Sequence, residues 1–145
     1  MRIKVGITID APPAATWRIV EPIEHHVDWM VDADSIRFTG PQTSGVGTAF
    51  DCVTKVGPIR LTDRMIITEW EPGKRMGIRH EGIVTGRGRF TLRRSRGGRT
   101  RFTWNENLTF PWWMGGPVGA AAAKPVLRSI WRRNLRRLKT IVEAT

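Results

Sequence analysis

Three ionisable side chains stand on strand faces that are otherwise apolar. Glu106 is the first of them, in a segment where apolar and polar residues alternate. Because residues two apart point to the same side of a strand, Glu106 is expected to face inward with its apolar neighbours. These neighbours are Phe102, Trp104, Leu108 and Phe110. An inward carboxyl group could act as a general acid or base, could orient a ligand hydroxyl, or could pair with an inward arginine at a cavity mouth.

His80 and Asp63 occupy similar positions on two other segments. His80 alternates with Met76 and Ile78, and an inward imidazole either transfers protons near neutral pH or is a hydrogen-bonded core residue. Asp63 shares its face with a set of apolar residues, and we favour a structural ion pair with a nearby arginine, Arg60 or Arg64 among others. If Glu106 and His80 converge, they form a candidate acid–base pair for aldol condensation or dehydration. Glu106, His80 and Asp63 are therefore the candidate catalytic residues.

The remaining reactive side chains give weaker patterns. Cys52 is the only cysteine and is expected to be a small buried residue without a nearby base. His25 and His26 are adjacent, and on a helix adjacent side chains point about 100° apart, which disfavours chelation of one ion. We predict no metal site and no cofactor.

Large apolar side chains suggest where a ligand would bind. Trp112 and Trp113 precede Met114 and a Gly-Gly-Pro turn, and they are expected to cap a hydrophobic ligand, to contact a bilayer interface, or to fill a core corner. The predicted ligand contacts are Trp104, Glu106, His80, Phe102, Phe90, Trp112, Trp113, Met65 and Ile130.

The elements that position these residues follow from periodicity and turn signals. A period of two, interrupted by glycine and proline, predicts seven strands in an antiparallel sheet. They are Arg2–Ile9, Ser35–Thr39, Thr48–Val56, Ile59–Glu69, Met76–Gly82, Gly88–Arg94 and Arg101–Phe110. The adjacent isoleucines at 66 and 67 suggest a bulge in the fourth strand.

Helical patterns occur in two places. After Ile9, Asp10 is expected near the cap of a short helix that ends at Pro22, and Ile23–Met30 forms a second. A long amphipathic helix is predicted from about Val118 to Val142, with Pro125 as a kink or a later start. The fold class is therefore α+β in the order β–αα–β6–α.

Length and composition agree with one soluble domain over residues 1–145. The chain is 40% hydrophobic and 26% charged, which is typical of globular proteins. No apolar run has the length of a signal sequence or a membrane span, so we expect a cytoplasmic protein.

The charge distribution is uneven. The net charge is +11, and the second half of the chain carries most of the Lys and Arg residues. The predominance of arginine is also typical of a GC-rich genome. A basic surface could bind an acidic acyl-carrier protein or an anionic membrane. Nucleic acid is disfavoured, because the aromatic residues alternate into the apolar face of the sheet.

The order of elements and several short motifs resemble the START-like or helix-grip (SRPBCC) superfamily, in its polyketide cyclase/dehydrase-like branch. The motifs are Ile9-Asp10-Ala11-Pro12-Pro13, Thr16–Val20, Ile23–Met30 with its tryptophan, GVGTAF at 45–50, and Trp70-Glu71-Pro72-Gly73. The resemblance implies a curved sheet that wraps the C-terminal helix and leaves a cavity for hydrophobic molecules. It implies no shared catalytic residue, and the tyrosine that some related cyclases use is absent from the chain.

Three functions remain open. We favour a carrier or sensor that binds a lipid-like, polyketide or aromatic molecule in an apolar cavity. The alternative is a polyketide cyclase or dehydrase that uses inward acid–base residues. A module that binds anionic macromolecules is the third.

Overall fold

The computed structural model describes residues 1–145, and its sheet contains seven antiparallel strands. The strands are β1 (Arg2–Ile9), β2 (Ala33–Phe38), β3 (Ala49–Val56), β4 (Ile59–Glu71), β5 (Arg75–Glu81), β6 (Thr85–Arg94) and β7 (Thr100–Thr109). Strands β2 to β7 form a meander, and β1 pairs with β7 at the far edge, in the order β1-β7-β6-β5-β4-β3-β2. The predicted seven-stranded antiparallel sheet is confirmed.

Two α-helices and three short 3-10 helices complete the chain. The α-helices are α1 (Pro13–Val20) and α2 (Gly116–Glu143), and the 3-10 helices are Ile23–Asp28, Arg96–Gly98 and Trp112–Met114. Helix α2 continues through Pro125. None of these helices combines the length and the hydropathy needed to cross a membrane. The α+β helix-grip architecture is confirmed.

The start of α1 differs from the prediction. Pro12 occupies the capping position, and no side chain caps the helix. The backbone N–H of Asp10 instead donates to the Glu143 carboxylate at the end of α2, 3.3 Å away. The fixed φ of the two prolines is already close to helical geometry, so the helix begins there without a side-chain cap.

Helix α2 packs on the concave side of the sheet mainly through its C-terminal half. Leu135, Leu138 and Val142 are buried there in one hydrophobic cluster with Ile3 and Ile9 of β1. The Asn134 side chain is fully buried; its amide donates to Asp32 and its carbonyl accepts from the Val31 backbone. These contacts fix the position of α2 on the sheet.

The bulge in β4 lies beyond the predicted position. The register of β4 against β5 shifts between Ile67 and Glu69. Asp63 and Met65 precede the shift, so their alternation is undisturbed and both face inward.

Candidate functional site

A cavity of about 240 Å³ lies between the sheet and the N-terminal half of α2. Hydrophobic residues are 22 of the 30 that line it. Apolar residues from every strand of the meander contribute to its wall, and Leu127 and Trp131 cover it from α2. Ile59 and Ile83 line the cavity and are also exposed, which places the opening at the β3–β4 and β5–β6 turns. The helix therefore covers the sheet without filling the space beneath it.

Asp63, His80 and Glu106 meet at the wall of this cavity. His80 Nδ1 lies 2.8 Å from Asp63 Oδ2, and His80 Nε2 lies 2.9 Å from Glu106 Oε2. We call these three residues the buried triad. His80 and Glu106 are almost fully buried, whereas the side chain of Asp63 is 18% exposed. The convergence that the sequence left open is thus present in the structure.

The triad forms because β6 carries no side chains at the positions between its members. His80 pairs across the strands with Gly86, and Glu106 pairs with Gly88. A Cβ at Gly88 would overlap the Glu106 carboxylate. The imidazole therefore reaches over β6 to a residue two strands away, and it meets Asp63 as a diagonal neighbour on β4.

These glycines also explain why β6 begins earlier than the sequence indicated. The prediction started the strand at Gly88, whereas the structure starts it at Thr85. The first inward positions are glycines, so the segment lacks the apolar alternation by which strands are recognised. The backbone of Gly86 has a φ of 137°, a value that residues with a side chain rarely adopt.

The surroundings of His80 favour its charged form. Burial alone would lower the pKa of the imidazole, but the hydrogen bonds that it donates to Asp63 and Glu106 outweigh that effect and raise the pKa to about 10. Both ring nitrogens donate to carboxylate oxygens, as an imidazolium requires. At neutral pH His80 is therefore a fixed cation, and neither nitrogen is free to accept a proton from a substrate.

The four oxygens of the two carboxylates differ in their partners. Glu106 accepts from His80 through one oxygen and from Trp104 Nε1, 3.0 Å away, through the other. Asp63 accepts from His80 through Oδ2, while its buried Oδ1 receives no hydrogen bond from the protein. Arg60 and Arg64 pair instead with Asp34 and Asp51. The expected ion pair of Asp63 with an arginine is wrong, because both arginines point to the outer face of the sheet.

Trp104 links the triad to α2. Its ring stacks on that of Trp131, with centroids 4.8 Å apart and planes 14° apart. Both indoles line the cavity, and the indole nitrogen of Trp104 is held by Glu106. The stack thus connects α2, which covers the cavity, to the polar part of the cavity wall.

Two further reactive side chains line the cavity. His26 Nε2 donates to the Val20 carbonyl at 2.7 Å, and burial lowers the pKa of this imidazole to about 4. Burial raises the pKa of the Cys52 thiol to about 12. At neutral pH His26 is therefore neutral with an unprotonated Nδ1, and Cys52 is a buried thiol as expected. No three His, Cys, Asp or Glu side chains are arranged to hold a metal ion.

Six of the ten residues predicted to be catalytic or to contact a ligand lie in the cavity wall. They are Asp63, Met65, His80, Phe90, Trp104 and Glu106. Four others were expected to contact a ligand, and the structure places them outside the wall: Phe102, Trp112, Trp113 and Ile130.

The reasons for these four differences are local. Phe102 faces inward as predicted, but it packs against Trp29 and Phe90 in the filled part of the core. Trp112 and Trp113 lie in a 3-10 helix with side chains 87% and 58% exposed. Ile130 precedes Trp131 by one residue and is turned about 100° from the face that covers the cavity.

Some residues of the cavity wall were not predicted from the sequence. Leu127 and Trp131 are four residues apart and share the helix face that also contains Leu135 and Leu138, so helical spacing contained the signal. The sequence pattern presents His26 only as a possible metal ligand. Its buried position depends on the packing of the 3-10 helix against Phe90, which no local pattern indicates.

The chain matches one known protein family. A family model described as "Polyketide cyclase / dehydrase and lipid transport" matches residues 1–143. No curated protein sequence matches the chain.

Several solved structures share the fold. The protein TTHA0849 of Thermus thermophilus is 17% identical, with a TM-score of 0.82 over 99% of this chain and 98% of that one. The Zhui aromatase/cyclase of a Streptomyces species is 14% identical, with a TM-score of 0.75 over 99% and 93% of the two chains. The protein MLL2253 of Mesorhizobium loti is 16% identical, with a TM-score of 0.73 over 100% and 98%.

Proposed function

The chain belongs to the polyketide cyclase/dehydrase and lipid transport family, and we propose that it binds a hydrophobic small molecule in the cavity under α2, as a carrier or sensor. The observation that carries this proposal is the cavity itself, about 240 Å³ in volume and lined mostly by hydrophobic side chains. Transfer of apolar surface from water into such a cavity is favourable by about 25 cal/mol per Å². An apolar cavity of about 150 Å³ is known to hold benzene, so this one has room for a bicyclic molecule.

The state of the buried triad favours binding over catalysis. A general acid or base works best when its pKa lies near the working pH. The pKa of His80 is raised to about 10, and both of its nitrogens are engaged by carboxylates. The Cys52 thiol is protonated as well, since its pKa is raised to about 12. The ionisable groups of the wall are thus arranged as fixed charges and hydrogen-bonding partners.

A cyclase or dehydrase remains the second candidate, and the meeting of three ionisable groups at the cavity wall favours it. In that case Asp63 would be the proton acceptor, since its Oδ1 alone among the triad's oxygens has no protein donor. The substitution Glu106→Gln distinguishes the two functions. A carrier should keep its ligand affinity within a few fold, whereas an enzyme that depends on the triad should lose turnover while still binding its substrate.

Native mass spectrometry of the protein purified from its own host tests the carrier proposal. We expect a population whose mass exceeds that of the chain by one small molecule, and whose excess disappears after extraction with organic solvent. A polar molecule bound in its place, or turnover of a bound polyketide during purification, would argue against a carrier.

A further inference from the structure

Each N–H group of the buried triad already has a partner. His80 donates one N–H to Asp63 and the other to Glu106, and the Trp104 indole donates to the second Glu106 oxygen. The only buried triad atom without a protein partner is an acceptor, Asp63 Oδ1. An acceptor that loses water without gaining a donor costs about 1–3 kcal/mol, and more when it is charged.

The charge of the polar wall also disfavours an anionic ligand. Two carboxylates and one imidazolium leave the triad with one excess negative charge when both carboxylates are ionised. Asp32, which also lines the cavity, adds another carboxylate, and one of its oxygens accepts from Asn134. Arg89 is the only arginine or lysine among the lining residues, and its guanidinium pairs with Glu69, 2.7–2.8 Å away. An anionic ligand would therefore enter a wall of the same sign without a free cation to receive it.

The neutral polar groups of the wall do not reverse this preference. His26 donates its single N–H to the Val20 carbonyl, which leaves Nδ1 as a second acceptor. The Thr54 and Thr62 hydroxyls can donate or accept and so do not discriminate between ligands. A ligand ammonium would satisfy the acceptors, but the transfer of a charge from water into a mostly apolar cavity carries a large desolvation cost.

We propose that the cavity selects an apolar molecule bearing a hydroxyl group, which donates a hydrogen bond to the carboxylate of Asp63, the most exposed member of the triad, and discriminates against the corresponding carboxylate. The selection rests on the proposed function, because it requires that the cavity be a binding site. It narrows the ligand class to apolar molecules with a neutral donor, such as alcohols and phenols, and it disfavours free fatty acids and aromatic acids.

Three naphthalene derivatives of matched size test the proposal by isothermal titration calorimetry at pH 7. Naphthalene measures the apolar contribution, 2-naphthol adds the donor, and 2-naphthoate adds an anion in the same place. A hydrogen bond to a charged acceptor corresponds to about a tenfold to hundredfold gain in affinity. We expect 2-naphthol to bind tighter than naphthalene by that factor, and 2-naphthoate to bind weakest.

Two substitutions locate the effect. In Asp63→Asn, the amide oxygen still accepts from His80 and an amide N–H₂ replaces Oδ1, so the preference for naphthol over naphthoate should fall at least about tenfold. Asp51→Asn makes the same chemical change on the outer face, next to Arg64, and should leave the order of affinities unchanged.

The outcomes separate this inference from the proposed function. Binding of naphthalene as tight as that of naphthol, or of naphthoate as tight as that of naphthol, overturns the selection and leaves the cavity as a binding site. Binding of none of the three compounds overturns both. The order in the unmodified protein decides even if Asp63→Asn fails to fold, and an unchanged order in a folded Asp63→Asn protein assigns the selection elsewhere and overturns the role of Asp63.

Discussion

His80 Nε2 lies 2.9 Å from Glu106 Oε2, although the two residues belong to strands separated by β6. The contact is possible because β6 presents glycine to the inner face at both positions beside them. Its consequence is a cation fixed between two carboxylates at the wall of an apolar cavity. This arrangement governs both the stability of the fold and the polarity of the site.

Removal of the imidazole should destabilise the protein strongly. His80→Ala leaves two buried carboxylates without their shared donor, and breaking a buried ion pair in this way costs about 3–5 kcal/mol. The free energy of unfolding from urea denaturation measures the loss. The matched control is Arg79→Ala on the outer face, where the side chain pairs with Glu81 in solvent and should contribute no more than about 1 kcal/mol. Equal effects of the two substitutions would contradict the triad.

The stability should also depend on pH above neutrality. The pKa of His80 is raised from 6.5 to about 10, so the folded state holds a proton that the unfolded state releases. The stabilisation is complete below about pH 6.5, decreases by at most about 1.4 kcal/mol per pH unit above it, and is lost as the pH passes 10. NMR of the imidazole should find His80 still protonated at pH 8, whereas a midpoint near 6.5 would show that the carboxylates do not hold the proton.

A methyl group at Gly88 should disrupt the same contact. The added Cβ would overlap the Glu106 carboxylate, and overpacking of this kind costs about 1–3 kcal/mol. Gly40→Ala is the control, because nothing lies near its Cβ position, and its effect should stay within about 1 kcal/mol. If the clash is with Glu106, the cost of Gly88→Ala should shrink in a Glu106→Ala background. An undiminished cost there would place the clash elsewhere.

Trp131 of α2 and Trp112 of the exposed 3-10 helix should differ sharply in their contributions to stability. Trp131→Ala removes a buried ring stacked on Trp104, and the loss of unfolding free energy should reach about 3–5 kcal/mol. Trp112→Ala changes a side chain that is 87% exposed and should alter stability by less than about 0.5 kcal/mol. Thermal or urea denaturation compares them directly. A large loss in Trp112→Ala would contradict the exposed position of that ring.

Strand alternation was sufficient to place individual side chains on the inner face. Glu106, His80 and Asp63 all face inward as predicted, because the bulge in β4 falls after Asp63. Their convergence could not be predicted, since it depends on the register of four strands and on the absence of side chains at Gly86 and Gly88. A glycine at an inward position weakens the strand pattern in the sequence. The space that it leaves becomes evident only when the neighbouring strands are placed beside it.

The differences among the predicted ligand contacts have the same origin. Alternation distinguishes inside from outside, but it does not separate a filled core from a cavity. Phe102 and Trp104 share one face of β7, yet only Trp104 reaches the cavity, because Trp29 fills the space beside Phe102. The predicted contacts with an acyl-carrier protein or an anionic membrane, and the contact of Trp112 and Trp113 with a bilayer interface, stay predictions.

The binding of naphthalene to a cavity-filled variant tests the central claim most directly. Leu127→Trp places a larger side chain in the space beneath α2, whereas Val126→Trp makes the same kind of enlargement at a position that is 51% exposed. By calorimetry we expect one naphthalene per unmodified chain, unchanged affinity in Val126→Trp, and at least about tenfold weaker binding in Leu127→Trp. No binding to the unmodified protein, or equal binding to Leu127→Trp, would contradict a ligand site between the sheet and the helix.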